Sequence, residues 1–202
     1  MTTALSGPDG RANQKARTRA AILEACDELV RSGAEVTMPE VAARAMVSEA
    51  TAYRYFPDLI SLLQEAMDGL WPAAGQALAP VAGSRDPVER VTFACEYLLQ
   101  GVHAYQGAVR AMISHTITAP AQARTRPGIR FGLIDGALAP FEAPASPGLE
   151  PDAMTRLKQD LAIAVSAEAF FVLTDLCGLA PEDAIASAAR TAATLTRAAF
   201  AR

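Results

Sequence analysis

The chain has 202 residues, a formal net charge of -4, and hydrophobic residues make up 51% of it. That length supports one or two domains with an ample core, and the charge does not announce a nucleic-acid binder. Three cysteines, Cys26, Cys95 and Cys177, stand far apart with no CxxC pair and no Cys/His cluster. That pattern excludes a disulfide framework and a zinc site as organising features, and buried free thiols in a reducing cytoplasm are the expected reading.

Alanine is abundant, aromatics are 6%, and strand-type alternation is hard to find, so the expected fold class is all-α, with about nine helices. The N-terminus is polar and reads as no secretory signal. No apolar run reaches ~18 residues, so no membrane span is expected and the location is taken as cytoplasmic.

Residues 1–11 gather Ser6, Gly7, Pro8 and Gly10 and read as a disordered tail. A first helix is expected from Ala12 to Ser32, stopped by Gly33. Its apolar face is Ile22, Cys26, Leu29 and Val30. Residues 1–60 hold seven Lys/Arg and eight Asp/Glu, yet Arg11, Lys15, Arg17 and Arg19 cluster with no acid among them. Phosphates respond to such a local patch, not to net charge. Lys and Arg also sit at the unfavourable end of the helix dipole there, which favours a phosphate-contact role.

Thr37 to Phe56 reads as two short helices with a tight corner. Thr37 caps the first, with Glu40 placed to reach back in a capping box and Pro39 in the first turn. Val41, Ala42 and Ala45 give it a small apolar face. Met46-Val47 makes the corner. Ser48 caps the second helix, which carries Glu49, Ala50, Thr51, Tyr53 and Arg54. Helices this short need a third to cover them.

This stretch resembles the helix-turn-helix of the TetR family of transcriptional repressors. The matching residues are Thr37, Val41-Ala42, Ala45, Val47-Ser48, Thr51, Tyr53 and Tyr55-Phe56, with Ile22-Leu23 and Ala25 upstream. The likeness covers roughly Thr18 to Leu63. It implies a head at residues 12–57 that binds DNA and a body at 58–202 that binds ligand and dimerises. The expected DNA-binding residues are Lys15, Arg17, Thr37, Ser48, Glu49, Ala50, Thr51, Tyr53 and Arg54. Thr37, Ser48 and Tyr53 match family positions that hold the DNA backbone. Arg54 suits either guanine or phosphate, and Ala50 suits a thymine methyl. Tyr55 and Phe56 are expected to pack inward.

Three positions depart from the family pattern. Met46 stands where the family usually has Gly, at a corner that calls for φ > 0. Glu49 puts a negative charge at the groove-facing end. Leu59 replaces a Lys that usually contacts phosphate.

Asp58 caps a helix expected to run from Leu59 to Leu70, with Leu59, Leu62, Leu63, Ala66 and Leu70 inward. Trp71-Pro72 ends it, and 79–87 reads as a loop. Pro87 to Tyr105 is a helix apolar on two faces, Val91-Cys95-Leu98-Val102 and Phe93-Tyr97, so it is expected to be buried on two sides. Helices follow at 108–118 and 129–139. The four prolines of 140–151 mark a linker. Asp152 to Cys177 reads as one long helix ended by Gly178, and a last helix opens at Pro181. Asp175 to Leu179, Pro181-Glu182 and the Ala-rich helix look like the C-terminal dimer hairpin of some TetR-family members.

The expected ligand pocket is Met67, Leu70, Trp71, Phe93, Tyr97, Met112, His115 and Phe131, on the helices that in the family enclose an inducer, so the ligand is expected to be largely apolar. The expected dimer interface is Leu157, Leu161, Ala164, Val165, Glu168, Val172, Ala188, Ala192 and Leu195. No GxSxG, Walker loop, GxGxxG or HExxH is present, and two histidines leave little for acid–base work. No enzyme activity, cofactor or metal is expected. The expected partners are operator DNA, a small molecule and a second copy. The alternative is a helical binding or scaffold protein whose head has lost DNA affinity.

Overall fold

A computed structural model describes residues 8–118, 128–142 and 149–201, and every regular element among them is helical. Residues up to Leu70, together with Tyr105–Thr118, form one compact unit. Trp71–Ala104 and the described residues after 118 form another.

In the first unit, α1 (Pro8–Ser32) begins four residues before the expected start. Residues 1–7 of the expected tail lie outside the described residues. Gly33 stops the helix at φ 71, its N–H bonding to the Val30 carbonyl. Ile22, Cys26, Leu29 and Val30 are buried, as their spacing requires.

α2 (Met38–Arg44) and α3 (Glu49–Tyr55) follow, and α1 packs on α2 and on α4 (Leu59–Ala66). Thr37 Oγ1 accepts from the Glu40 N–H at 3.3 Å, Ser48 Oγ from the Thr51 N–H at 3.2 Å, and an Asp58 carboxylate oxygen from the Ser61 N–H at 2.7 Å. Three helix starts are thus capped by the residues the sequence offers. α4 ends at Ala66, short of Leu70, in turns through Met67 to a Gly69 of φ 79.

Arg19 on α1 makes a two-pronged ion pair with Glu65 on α4, at 2.6 and 2.5 Å, and lies over the Phe56 ring at 4.8 Å. Hydrogen bonding to Arg19 holds the Glu65 carboxyl below its ordinary range.

α7 (Gln106–Thr118) belongs to this unit and packs on α4. A Cβ on Gly107 would lie 1.7 Å from the Ala34 carbonyl oxygen. Only glycine lets the first turn of α7 meet the α1–α2 loop backbone to backbone. The unit around the head therefore runs past the expected boundary at residue 58.

In the second unit, a 3-10 turn, Ala79–Val81, opens the expected 79–87 loop, and α5 (Ala74–Ala77) lies just before it; both are too short to leave a period in the sequence. α6 (Pro87–Ala104) is the central element, contacted by α8 (Ile129–Leu138), α10 (Ala167–Phe171) and α11 (Pro181–Phe200). Its Val91, Cys95, Leu98 and Val102 stripe is buried. Residues 143–148 of the proline-rich linker lie outside the described residues.

The expected single helix from Asp152 to Cys177 is three pieces. α9 (Pro151–Ala164) ends at Val165, α10 restarts after Ser166, and a π-turn spans Val172–Leu176. Ser166 causes the break. It takes extended backbone, φ -150, accepts from the Ala169 N–H at 2.9 Å as a helix cap, and donates to the Ile163 carbonyl at 2.7 Å.

Candidate nucleic-acid interface

α3 is a seven-residue helix fixed at its start by Ser48 and at its inner face by buried Ala52, with Phe56 buried just after it. Glu49, Ala50, Tyr53 and Arg54 are exposed on its other side, Tyr53 by 47%. Tyr53 points outward and Phe56 inward, as expected, and Tyr55 is half-buried. Thr51 is less available than the sequence suggests. It is half-buried, and its hydroxyl lies 2.9 Å from Ser48 Oγ. Thr37 is half-buried and committed to its cap.

On α1, Lys15 and Arg17 are exposed. Lys15 and Gln14 line the same shallow pocket of about 360 Å³ as Arg54 and Tyr55 of α3. The Arg54 guanidinium lies 5.5 Å from the Tyr55 ring centroid. The fold therefore brings one cation from each of two helices, 39 positions apart in sequence, to one place beside the exposed face. Two cations and an amide at one concavity suit a phosphate group. Arg19, in contrast, is held by Glu65. Gln14 is a lining residue that sequence reading missed, and its polar position beside Lys15 was the available signal.

A short capped helix carrying an exposed polar face, flanked by convergent cations, is built to enter a major groove. The family model for bacterial regulatory proteins of the tetR family matches residues 22–66, which hold this whole arrangement apart from Gln14, Lys15 and Arg17. That match covers the head alone, 45 of the 202 residues. A TetR transcriptional regulator from Rhodococcus sp. RHA1, known as a crystal structure, shares the fold. The likeness covers 90% of this chain and 97% of that one, at 22% identity and a TM-score of 0.50. No curated protein matches the chain.

The head departs from the matched family's pattern at one corner. Met46 sits at φ 53 and is 92% exposed. Its N–H bonds to the Ala43 carbonyl at 3.1 Å, and the Val47 N–H to the Ala42 carbonyl at 3.0 Å, closing the corner. Leu59 is half-buried at the start of α4 and offers no charge to phosphate.

The eight expected pocket residues divide between the two units. In the first, Met67 and Met112 are buried, and Leu70 and His115 are half-buried. His115 lines a cleft of about 710 Å³ with Arg110 and Ser114 of α7, the Gly33–Thr37 loop and Asp58–Ile60. In the second, Trp71 meets Tyr97 edge-on at 6.4 Å between centroids, and Phe93 stacks on Tyr97 at 6.3 Å. A Cβ on Gly101 would lie 2.0 Å from the Trp71 ring, so Gly101 makes the seat for the indole. All three rings are half-buried. Phe131 is exposed instead, with the Arg130 guanidinium 5.7 Å from its ring. His103, missed in the sequence, has a buried Nδ1 without a hydrogen-bond partner and a ring 5.9 Å from Phe170.

The expected dimer residues need a correction of face. Leu157, Leu161, Ala164, Val165, Ala188 and Ala192 are buried within their own unit, where α11 packs on α9 and α6. Ala164 and Ala188 nonetheless reach an open groove, while Leu161, Val165 and Ala192 are fully covered. Glu168 is ion-paired with Arg130 at 2.8 Å. Val172 is exposed and Leu195 half-buried, and both line an open groove of about 800 Å³. Ile163, on the same groove, is 74% exposed, and Leu176 is 81% exposed; neither is among the expected dimer residues.

No helix among the described residues is long and apolar enough to cross a membrane.

Proposed function

We propose that the chain is a ligand-responsive repressor that binds a palindromic operator as a dimer and is released by a small-molecule inducer. The observation that carries the DNA half of this reading is the convergence of Lys15 and Arg54 beside the exposed face of α3. Lys15 and Arg54 hold phosphate, Arg17 adds a further cation on the same helix, and Ala50 and Glu49 face base edges.

The groove along α9 to α11 supports pairing with a second copy. Ile163 and Val172, with Leu176 on the π-turn, are large apolar side chains on exposed surface. A two-fold pair would set two heads for inverted half-sites. Trp71, Phe93 and Tyr97 support the inducer half, as a half-buried aromatic wall in the second unit. An inducer there favours a head spacing that no longer fits two half-sites.

Gel-shift titration on DNA upstream of the chain's own coding sequence, at two salt concentrations, tests this reading alongside sedimentation of the free protein. A dimer that shifts specific DNA more tightly than random DNA at both salts supports it. A monomer, or binding indifferent to sequence, overturns it.

A further inference from the structure

Among the described residues, Met46 is the one non-glycine residue with positive φ, at 53°, and it is also the most exposed large apolar side chain, at 92%. The free protein gains nothing from either property. Glycine would hold this corner without strain, and a thioether side chain standing in water buries nothing. A strained backbone that the fold itself does not use is where a functional contact is to be sought.

The surroundings say which contact. Met46 lies two residues before Ser48, the cap of α3, and three before Glu49. Glu49 and Ala50, next along the chain, are exposed on the face that enters the groove. We infer that Met46 is a further specificity residue: its side chain is covered by the DNA, packing on the C5-methyl of a thymine at the edge of each half-site. This rests on the DNA-binding reading above. It adds an apolar, base-selective contact from the corner before the helix, at a position where a glycine offers no side chain. It also places an apolar group beside the Glu49 carboxylate, which cannot itself hold phosphate.

The test starts from a duplex selected by the wild-type protein from a random pool. Met46→Gly is expected to melt at a higher temperature than wild type and to bind that duplex roughly fourfold more weakly per half-site, the fold-change of a lost methyl-sized apolar burial. Met46→Leu keeps most of the affinity. Met46→Asn, which tolerates the backbone, loses it as Met46→Gly does. Affinity for random duplex and the salt slope stay the same in all three, because no phosphate contact changes. Replacing half-site thymines one at a time by uracil weakens wild type at one position and leaves Met46→Gly indifferent there. Equal or tighter binding by Met46→Gly overturns the inference, as does a uracil effect that is the same in both proteins. A wild-type protein that enriches no duplex overturns the DNA-binding reading itself, a result distinct from either.

Discussion

Arg90 Nε donates to the Ala137 carbonyl at 2.8 Å, from a guanidinium that is buried and makes no ion pair among the described residues. Its other nitrogens donate to the carbonyls of Val81 at 2.5 Å, Gly136 at 2.9 Å and, more weakly, Ala82 at 3.3 Å. These carbonyls end the 3-10 turn at Ala79–Val81, where Val81 also accepts from the Ser84 N–H at 3.1 Å, and the last turn of α8, where helical partners run out. One side chain of α6 thus satisfies the open ends of two neighbours. Arg90→Ala leaves several buried acceptors unpaired and is expected to destabilise the fold by about 3–5 kcal/mol. A melting temperature lower by roughly 10 °C is the predicted reading. Arg90→Lys is expected to recover only part, since one ammonium cannot span the same carbonyls.

Nothing in the sequence around Arg90 distinguishes it from a surface arginine at the start of a helix. Two of its partners, Gly136 and Ala137, are 46 and 47 positions away, so the full role exists only after folding. The head was legible because its signals are local: Thr37, Ser48 and Asp58 sit three residues before the N–H groups they accept from. The same kind of signal stood at Ser166, yet the apolar spacing from Leu157 to Leu176 runs across it. Period alone therefore suggested one helix where a cap makes two. Several of the expected dimer residues lie inside their own unit for a related reason. An Ala-rich stripe marks close helix approach, and only packing decides whether the neighbour is one's own chain.

The chain's single tryptophan makes Gly101 a testable position. Gly101→Val pushes a branched side chain into the Trp71 ring, which has no room at 2.0 Å. Intrinsic fluorescence is expected to shift to longer wavelength as the indole moves toward water. Helical circular dichroism changes little, because valine is a better helix former than glycine. An unchanged emission maximum would place the indole elsewhere.

The thiols predict a pH dependence. Burial pushes Cys26 and Cys95 up to about 12, from an ordinary value of 9.0, while Cys177 is exposed. Below pH 9 both states hold these protons and nothing is lost. Between about pH 9 and 12 the unfolded chain releases them first, so stability falls as pH rises through that window. Cys95→Ala should make the fall shallower. A thiol reagent at pH 8 should label Cys177 rapidly in the native protein, and Cys26 and Cys95 only after denaturation.

Lys15 and Arg54 should act as phosphate contacts. Lys15→Ala and Arg54→Ala are each expected to weaken binding to selected and random duplex alike and to reduce the salt slope by about one unit per contact in each half-site. A loss confined to one base position for Arg54→Ala would assign it to guanine instead. Neither variant should alter the melting temperature by more than a degree or two, since both side chains are exposed.

The most direct measurement is the sequence of the duplexes that the intact protein enriches from a random pool, taken with the mass of the complex. The account predicts two inverted half-sites, centred about one helical turn or more apart and held by two copies of the chain. Enrichment of no sequence at any salt concentration, or a single half-site bound by one copy, would contradict it.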